Sequence, residues 1–589
     1  MAYPLVFNMG RYIPGFNSSD EPFAVISELW LFKYCQQKGL DLKKCDFTAY
    51  PFGVNLRDYT GSSYLWESIK KGLTFLTNHI FTFSLLVLLS FVFAGWFTYL
   101  LVYWITRSNP AAIFSGIIFA FCPYHFARSW QHLALSQIQW MPLYLLSLFS
   151  LKDKPGAKNT LLATLALFLV ISCNFYYAYL MAIATFGFLM FAVVREKKNP
   201  KQVFNFYLKF CIVSLIALIL IFPSLWEAYK TKGQISDETP LEHNITHRPF
   251  EDLFIQSAKP LSYLLPATAH PLFGKFSECL IGSSLYGQSL TEHTLYLGWA
   301  PLILAFIAFK RRGRLRKAQS DNFYISFFVL LAVTAWIFSQ PPWWDIFGFK
   351  LYMPAFFMYK ILPMFRAYCR FGIVMMLAVA VLAGFGLKFI LERFKSQKTK
   401  VAVTALFCAL VLFEFWNYPP FKVIDLSKVP QVYYWLKEQP GGIVIAEYPL
   451  DAGSPNELYK FFQTVHEKKI INGTTPGTHA NKVAQAIRRL SEPHTAGILK
   501  WMGVKYVLAH KEDYLKTDLI EDRQDLEEFP KNPELKFVKS FPPQECPDKD
   551  IMCAQKTGQI DIYEVVAQPK EPSCKINARN DVKCNKVKN

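Results

Sequence analysis

Runs of about twenty apolar residues, separated by short polar connections, dominate the chain between residues 78 and 418. Blocks of that length suit helices that cross a bilayer, because roughly 20 residues at 1.5 Å each span a hydrocarbon core about 30 Å thick. Ten spans are predicted, near 78–106, 110–125, 132–151, 159–173, 174–195, 204–225, 294–309, 322–340, 371–391 and 400–418. The second and fourth are short, which predicts a different tilt or shelter by neighbours. From about residue 420 the pattern becomes that of a soluble unit. "GGIVIAEYPL", "KYVLAHK", "LKFVKSF" and "GQIDIYEVV" read as strands, and "SPNELYKFFQTVHEKK" and "NKVAQAIRRLSEPHTAGILKWMG" read as helices. The fold class that follows is a polytopic α-helical membrane protein with a small α/β domain at its C-terminus. Its parts are a first segment over 1–77, a membrane domain over 78–418 with a long loop at 226–292, an α/β domain over 419–567, and a basic tail over 568–589. The tail has too few apolar residues to fold alone, so disorder is expected there.

Composition agrees with a membrane protein. Of 589 residues, 52% are hydrophobic and 18% charged, against roughly 25% charged in soluble domains. A net charge of +19 would point to nucleic acid in a soluble protein. Here the basic residues sit in the connections between apolar blocks and the aromatic residues sit inside the blocks, so no nucleic-acid partner is expected. The connections "RSNP", "KDKPGAK", "REKKNPKQ", "KRRGRLRK" and "ERFKSQKTK" carry the Arg and Lys, and the alternate ones carry few near the spans. The positive-inside rule then puts the first set in the cytoplasm, and segment 11–77 and the C-terminal domain outside. "MAYPLVFNMG" is too short to span and lacks the build of a signal peptide, so a first span is expected to be missing or truncated. Cys35, Cys45, Cys546, Cys553, Cys574 and Cys584 fall on the external side, where pairing is open to them.

An acidic pair, Asp20 and Glu21 before Pro22, stands out in the first segment. Ser19 or Asp20 ahead of a proline is a helix-start signal, with a side-chain oxygen capping free N–H groups. The helical spacing of "FAVISELWLFKYC" fits a helix lying at the membrane surface. The pair also suits chemistry: one carboxylate can take a proton from a hydroxyl while the other orients it or binds a metal. Both roles are compatible at a helix N-terminus, which keeps a carboxylate ionised.

Several longer stretches resemble a known family. "SSDEPFAVISELW", "YPFGVNL", "IFAFCPYHFARSWQHLALSQIQWMPLYLL", "FPSLW", "PMFRAYCRFGIVMMLAVAVLAGFGL" and "KKIINGTTPG" are similar to the bacterial YfhO-like branch of the GT-C superfamily of membrane glycosyltransferases. The chain departs from that pattern in lacking an intact first span. The resemblance implies a GT-C fold in a bacterial inner membrane and sugar transfer from a polyprenyl-phosphate donor. The acceptor would be a cell-envelope glycan, a lipid or a protein. Asp20 or Glu21 would be the base, with a divalent metal, Mg or Mn, on the same carboxylates as an option.

Other residues can be set against that expectation. His125, Arg128 and His132 flank an external turn; they read either as interfacial side chains reaching the headgroups or as a polar rim contacting sugar or phosphate. Were the helix continuous, His125 and His132 would share a face. Asn174, Tyr176 and Tyr177 suit an aromatic belt, with stacking on sugar as the alternative. Arg366 and Arg370, four apart, would share a helical face and grip a lipid phosphate. His243, His247, His270 and Glu278 lie in the long loop without metal-ligand spacing, which favours a solvated loop. Asn17, Asn244 and Asn472 occupy N-x-S/T patterns. Two other functions compete, a transporter or flippase of lipid-linked material and a non-catalytic assembly protein. Transporters usually carry ionisable groups at mid-membrane, and here Glu414, near the end of the last span, is the exception among few. A periplasm-active reporter fused after residue 567 is expected to be active; activity of a cytoplasm-only reporter there would overturn the topology.

Overall fold

The computed structural model describes residues 3–15, 21–57, 63–195, 200–232, 247–289, 291–312, 319–417, 423–450, 454–475, 478–516, 520–547, 552–554, 556–571, 574–576 and 582–584. The first segment contains strand β1 (Tyr12–Pro14) and helices α1 (Glu21–Gln37) and α2 (Tyr64–Leu76). The helical bundle follows as α3 (His79–Thr106), α4 (Asn109–Ala120), α5 (Pro123–Ser129), α6 (Leu133–Ser136), α7 (Trp140–Asp153), α8 (Ala157–Cys173), α9 (Phe175–Arg195) and α10 (Pro200–Lys232). Two short helices, α11 (Asp252–Ile255) and α12 (Gly274–Glu278), fold the long loop before α13 (Trp299–Arg311) and α14 (Gln319–Phe338). A hairpin of β2 (Trp343–Ile346) and β3 (Phe349–Tyr352) and the helix α15 (Pro354–Ile361) lead into α16 (Gly372–Leu391) and α17 (Gln397–Glu414).

Every predicted span is thus helical, but not every one is a full crossing. Among the described residues five helices are long and apolar enough to cross a membrane: α3, α9, most of α10, α14, and α16 with the turn before it. A sixth is α4 with α5, bent by 42°. Pro123 supplies the bend, since it lacks an N–H and forces Cys122 before it into extended backbone. The third predicted span starts late, at Trp140, with residues 130–139 folded as turns around α6. Helix α10 runs on to Lys232, into what the sequence suggests is loop.

Helix α16 is the axis of the bundle. It is buried almost all round and packs on α4, α13 and α14. Gly384 and Gly386 allow that approach: a Cβ on Gly386 would collide with the Leu304 carbonyl, and one on Gly384 with Ser115.

The C-terminal domain comprises β4 (Val423–Asp425), α18 (Gln431–Glu438), β5 (Val444–Tyr448), α19 (Ser454–His466), β6 (Lys469–Ile470), α20 (His479–Ala486), α21 (Thr495–Trp501), β7 (Val504–His510), α22 (Lys511–Lys516), α23 (Ile520–Glu528), β8 (Leu535–Phe541), β9 (Met552–Cys553) and β10 (Ile560–Val565). Its main sheet has the order β6-β5-β7-β10-β8, parallel from β6 to β7 and antiparallel beyond. The single helix expected over 481–503 is two, broken around Pro493. In the tail, β11 (Cys574–Ile576) and β12 (Val582–Cys584) pair antiparallel, with Cys574 opposite Cys584.

The first segment is no separate unit. Strand β1 pairs antiparallel with β4, and the Arg11 guanidinium holds Asp425, with its Nε 2.8 Å from Oδ1. Ala49 and Tyr50 donate backbone hydrogen bonds to Asn472 and Ile470, and Ile470 donates one back to Phe47. Helix α1, expected on the membrane surface, instead packs on α19, with Phe23 against Phe461. Cys35 and Cys45 form a disulfide that closes the loop after α1. A shared apolar core joins the start of α3, α5, β4, α18 and the sheet. Gly386→Val should overpack the α16 seam at a cost of roughly 1–3 kcal/mol. It should lower the thermal midpoint in detergent, while Ala409→Val on the exposed face of α17 should leave it unchanged.

Candidate active site

One short stretch, residues 123–132, delivers Arg128 and His132 to one end of the bundle. Arg128 on α5 is fully buried, and its two terminal nitrogens lie 3.0 and 2.5 Å from the carboxylate oxygens of Glu292. Arg370, in the tight turn before α16, holds the same carboxylate with Nη2 2.6 Å from Oε1 and Nε 3.2 Å from both oxygens. The Cys369 thiol donates to it as well, at 3.2 Å. Burial alone would raise the Glu292 carboxyl; Arg128 and Arg370 outweigh that and hold it well below the usual carboxylate range.

A second ion pair lies beside the first. Arg366 Nη1 is 2.7 Å from Asp252 Oδ2, and the Arg366 backbone N–H donates to the Tyr176 hydroxyl at 3.1 Å. The Tyr176 ring lies 4.3 Å beneath the Arg370 guanidinium. Arg248 completes the group: burial and then the neighbouring Arg366 push its guanidinium below its usual value, although Asp252 and Tyr176 pull the other way. Arg128 and Arg370 therefore face Glu292, and Arg366 and Arg248 stand beside Asp252.

Glu21 opens α1, and its carboxylate contacts His132 Nδ1. Both side chains are partly open to solvent. Asp20 lies outside the described residues. His132 caps nothing; it sits between α5 and α6, with its backbone N–H on the Arg128 carbonyl at 2.8 Å. The carboxylate-bound histidine thus lies four positions after the arginine that holds Glu292.

Several expectations are corrected. His125 is on no rim: it is fully buried, its ring nitrogens 2.7 Å from the Ala120 carbonyl and 2.9 Å from the Ser90 hydroxyl, and it stacks on Phe91. It shares no face with His132, because the helix ends at Ser129. Arg366 and Arg370 share no helical face either, since Arg366 lies in irregular backbone and Arg370 in a 3-10 turn. Tyr177 is buried, its hydroxyl donating to the Leu135 carbonyl, which leaves no ring for a sugar. Asn174 accepts the Tyr176 N–H at 2.8 Å and starts α9. Glu414 accepts from the N–H groups of Trp299 and Ala300 and so caps α13. In the long loop Glu278 is exposed as expected, but His270 is buried and bonded to the Phe413 carbonyl at 3.0 Å. His243 and Asn244 lie outside the described residues, and Asn472 is fully buried.

The family model of a domain of unknown function, DUF6311, matches residues 65–415. The chain belongs to this DUF6311 family. No curated protein matches it. Among solved structures, the cryo-EM structure of the arabinofuranosyltransferase AftD from Mycobacteria is similar at a TM-score of 0.50 and 13% identity. The match covers 95% of this chain and 39% of AftD, so the chain spans well under half the length of that protein. The crystal structure of ArnT from Cupriavidus metallidurans bound to undecaprenyl phosphate gives a TM-score of 0.50 at 11% identity, covering 96% of this chain and 97% of ArnT. The DUF6311 protein therefore has the GT-C fold of an integral membrane protein with a small C-terminal α/β part.

The matched region of this DUF6311 protein contains Arg128, Arg248, Asp252, Glu292, Arg366 and Arg370 and excludes Glu21. Sequence reading overlooked Arg248, Asp252 and Glu292. One signal for Glu292 was present, an acidic residue two positions before a predicted span in "SLTEHTLYLGW". Glu292→Gln should cost roughly 3–5 kcal/mol by leaving two buried guanidiniums facing each other. A carboxyl whose folded pKa is depressed adds stability that is complete above its unfolded value and is lost as pH falls through the folded one. Thermal melts of the wild type and Glu292→Gln should differ by a constant amount from neutrality down to about pH 4.5, and converge only below it.

Proposed function

We propose that this protein is a membrane glycosyltransferase that moves a sugar from a polyprenyl-phosphate donor to a hydroxyl-bearing acceptor with inversion. The observation that carries the reading is the stretch 123–132, which ties the Glu21–His132 pair to the cluster of Arg128 and Arg370 on Glu292. The GT-C fold supports it, and so does the undecaprenyl phosphate bound in the ArnT structure. The acceptor is a cell-envelope glycan, a lipid or a protein, the membrane is a bacterial inner membrane with the C-terminal domain outside, and the protein is YfhO-like.

In this reading the Glu21 carboxylate accepts the proton of the acceptor hydroxyl while His132 holds the carboxylate in place. The freed oxygen bonds to the anomeric carbon from the face opposite the phosphate. The bond from that carbon to the phosphate oxygen breaks, and both of its electrons leave with the lipid phosphate. Arg366 and Arg248 offset the charge gathering there, with Arg370 behind them spending most of its donors on Glu292. Tyr176 fixes the tilt of Arg370 and the backbone of Arg366.

A divalent cation, Mg or Mn, on Asp20 or Glu21 belongs to the same proposal and would add charge neutralisation at the phosphate. Among the described residues no group of three His, Cys, Asp or Glu side chains is placed to hold a metal ion.

Glu21→Gln keeps the shape of the side chain and removes the proton-accepting charge. It should slow transfer by roughly a hundred- to ten-thousand-fold with an unchanged melting temperature. The measurement is incorporation of label from radiolabelled polyprenyl-phosphate sugars in membranes containing the full chain. Full activity in both Glu21→Gln and Asp20→Asn would overturn the base assignment.

A further inference from the structure

The β2–β3 hairpin wears its apolar face on the outside. It pairs Trp343 with Tyr352, Trp344 with Leu351, Asp345 with Lys350 and Ile346 with Phe349. Opposed residues share a face and successive ones alternate, so Trp343, Tyr352, Asp345 and Lys350 lie on one face. That face turns to the protein. The Trp343 ring centroid is 4.8 Å from that of Phe254 and 5.8 Å from that of Phe250, and the Lys350 ammonium lies 4.6 Å over the Trp343 ring. The other face holds Trp344, Leu351, Ile346 and Phe349, and the last three are exposed, Phe349 by 81%. A hairpin with one face in water shows the reverse order, apolar inside and polar outside.

The tip repeats the inversion. Phe347 has φ +53° and Gly348 φ +84°, and the Gly348 N–H donates to Asp345 Oδ1 at 3.1 Å. Two positive φ angles in a row make the tight turn that matches strand twist, and its first position usually falls to Asn, Asp or Gly. A bulky residue there is strained. With 98% of its surface open, Phe347 recovers nothing from packing within the chain. The apolar face also continues a surface that belongs to lipid. Leu330, Val333 and Trp336 are exposed on α14, a helix long and apolar enough to cross the membrane. Trp336 meets Trp344 edge-on, with ring centroids 5.8 Å apart. Helix α15 adds Phe357 and Ile361, four apart and exposed. Lys350 and Lys360 are exposed beside these groups, the latter 4.3 Å over the Phe356 ring.

We propose that the β2–β3 hairpin and α15 are seated in the phospholipid leaflet at this end of the bundle, with Phe347 and Phe349 among the acyl chains. Trp344 and Tyr352 then lie at headgroup level, and Lys350 and Lys360 reach the lipid phosphates. Continuity with the lipid-facing side of α14 favours lipid over a second copy of this chain. The seat also sets a height for the arginines. The Tyr359 hydroxyl of α15 donates to the Arg248 carbonyl, and the Arg248 N–H donates to the Pro363 carbonyl at 3.1 Å, three residues before Arg366. Both arginines are thereby tied to an element that rests at the membrane surface. A donor phosphate at that height rests on the proposed transfer reaction; the seat does not.

The test puts the photo-crosslinking residue p-benzoylphenylalanine in place of Phe347, Phe349, Val333 or Ile520, one at a time, in the full chain. All four side chains are exposed, so the larger ring spares the fold. The protein is reconstituted in vesicles of phosphatidylethanolamine and phosphatidylglycerol with radiolabelled acyl chains, and irradiated. Positions 347 and 349 should take up labelled lipid to the extent seen at 333 on α14, while 520 on α23 stays at background. Glu21→Gln should leave the label at 347 unchanged, which keeps the seat separate from the transfer reading. Label at 347 and 349 no higher than at 520 would overturn the proposal, and so would a covalent dimer of the chain in place of labelled lipid.

Discussion

A carboxylate buried among helices is tolerable only if cations meet it, and Glu292 imposes that condition on the whole upper end of the bundle. Two arginines answer it. Arg128 comes from the bend between α4 and α7, and Arg370 from the turn that starts α16. Glu292 comes from the loop ahead of α13, and Tyr176, under Arg370, from the start of α9. Four connections far apart in sequence are thereby held at one place. Geometry this constrained suits a site that must keep charges aligned while a ligand enters and leaves. Arg366, paired with Asp252 close by, adds a cation to the same surface.

The C-terminal domain is as much a part of this arrangement as the helices. Its strand β4 takes β1 as a partner, its edge strand β6 takes residues 47–50, and α19 takes α1. Glu21 is therefore positioned by residues more than four hundred positions downstream, through α1 and Phe23 on Phe461. The three-stranded sheet β1-β4-β9 and the core shared with α3 and α5 make the first segment, the bundle and the domain one packed body. A hydrophobic core that crosses the boundary between the bundle and the C-terminal domain ties the two together.

The amino-acid sequence alone determined the elements whose cause is local. Helices near the bilayer are dictated by the number of consecutive apolar residues, so each predicted span is helical, and short apolar runs with β-branched or aromatic residues place β5, β7, β8 and β10. Breaks followed Pro123 and Pro493, whose effect is also local. Arg128, His132, Arg366, Arg370 and Tyr176 were recognisable as polar or amphipathic residues at the ends of apolar blocks. What each one touches was decided only by the tertiary structure. Nothing near Arg370 in sequence announces Glu292, 78 positions away, and nothing near Glu21 announces His132, 111 positions away. His125 differs from His132 only in that folding buries one ring against Phe91 and leaves the other half open. The physical reason is one of range: apolar length and proline act on their own neighbours, whereas a buried charge is satisfied by whichever partner the packing of distant helices brings to it.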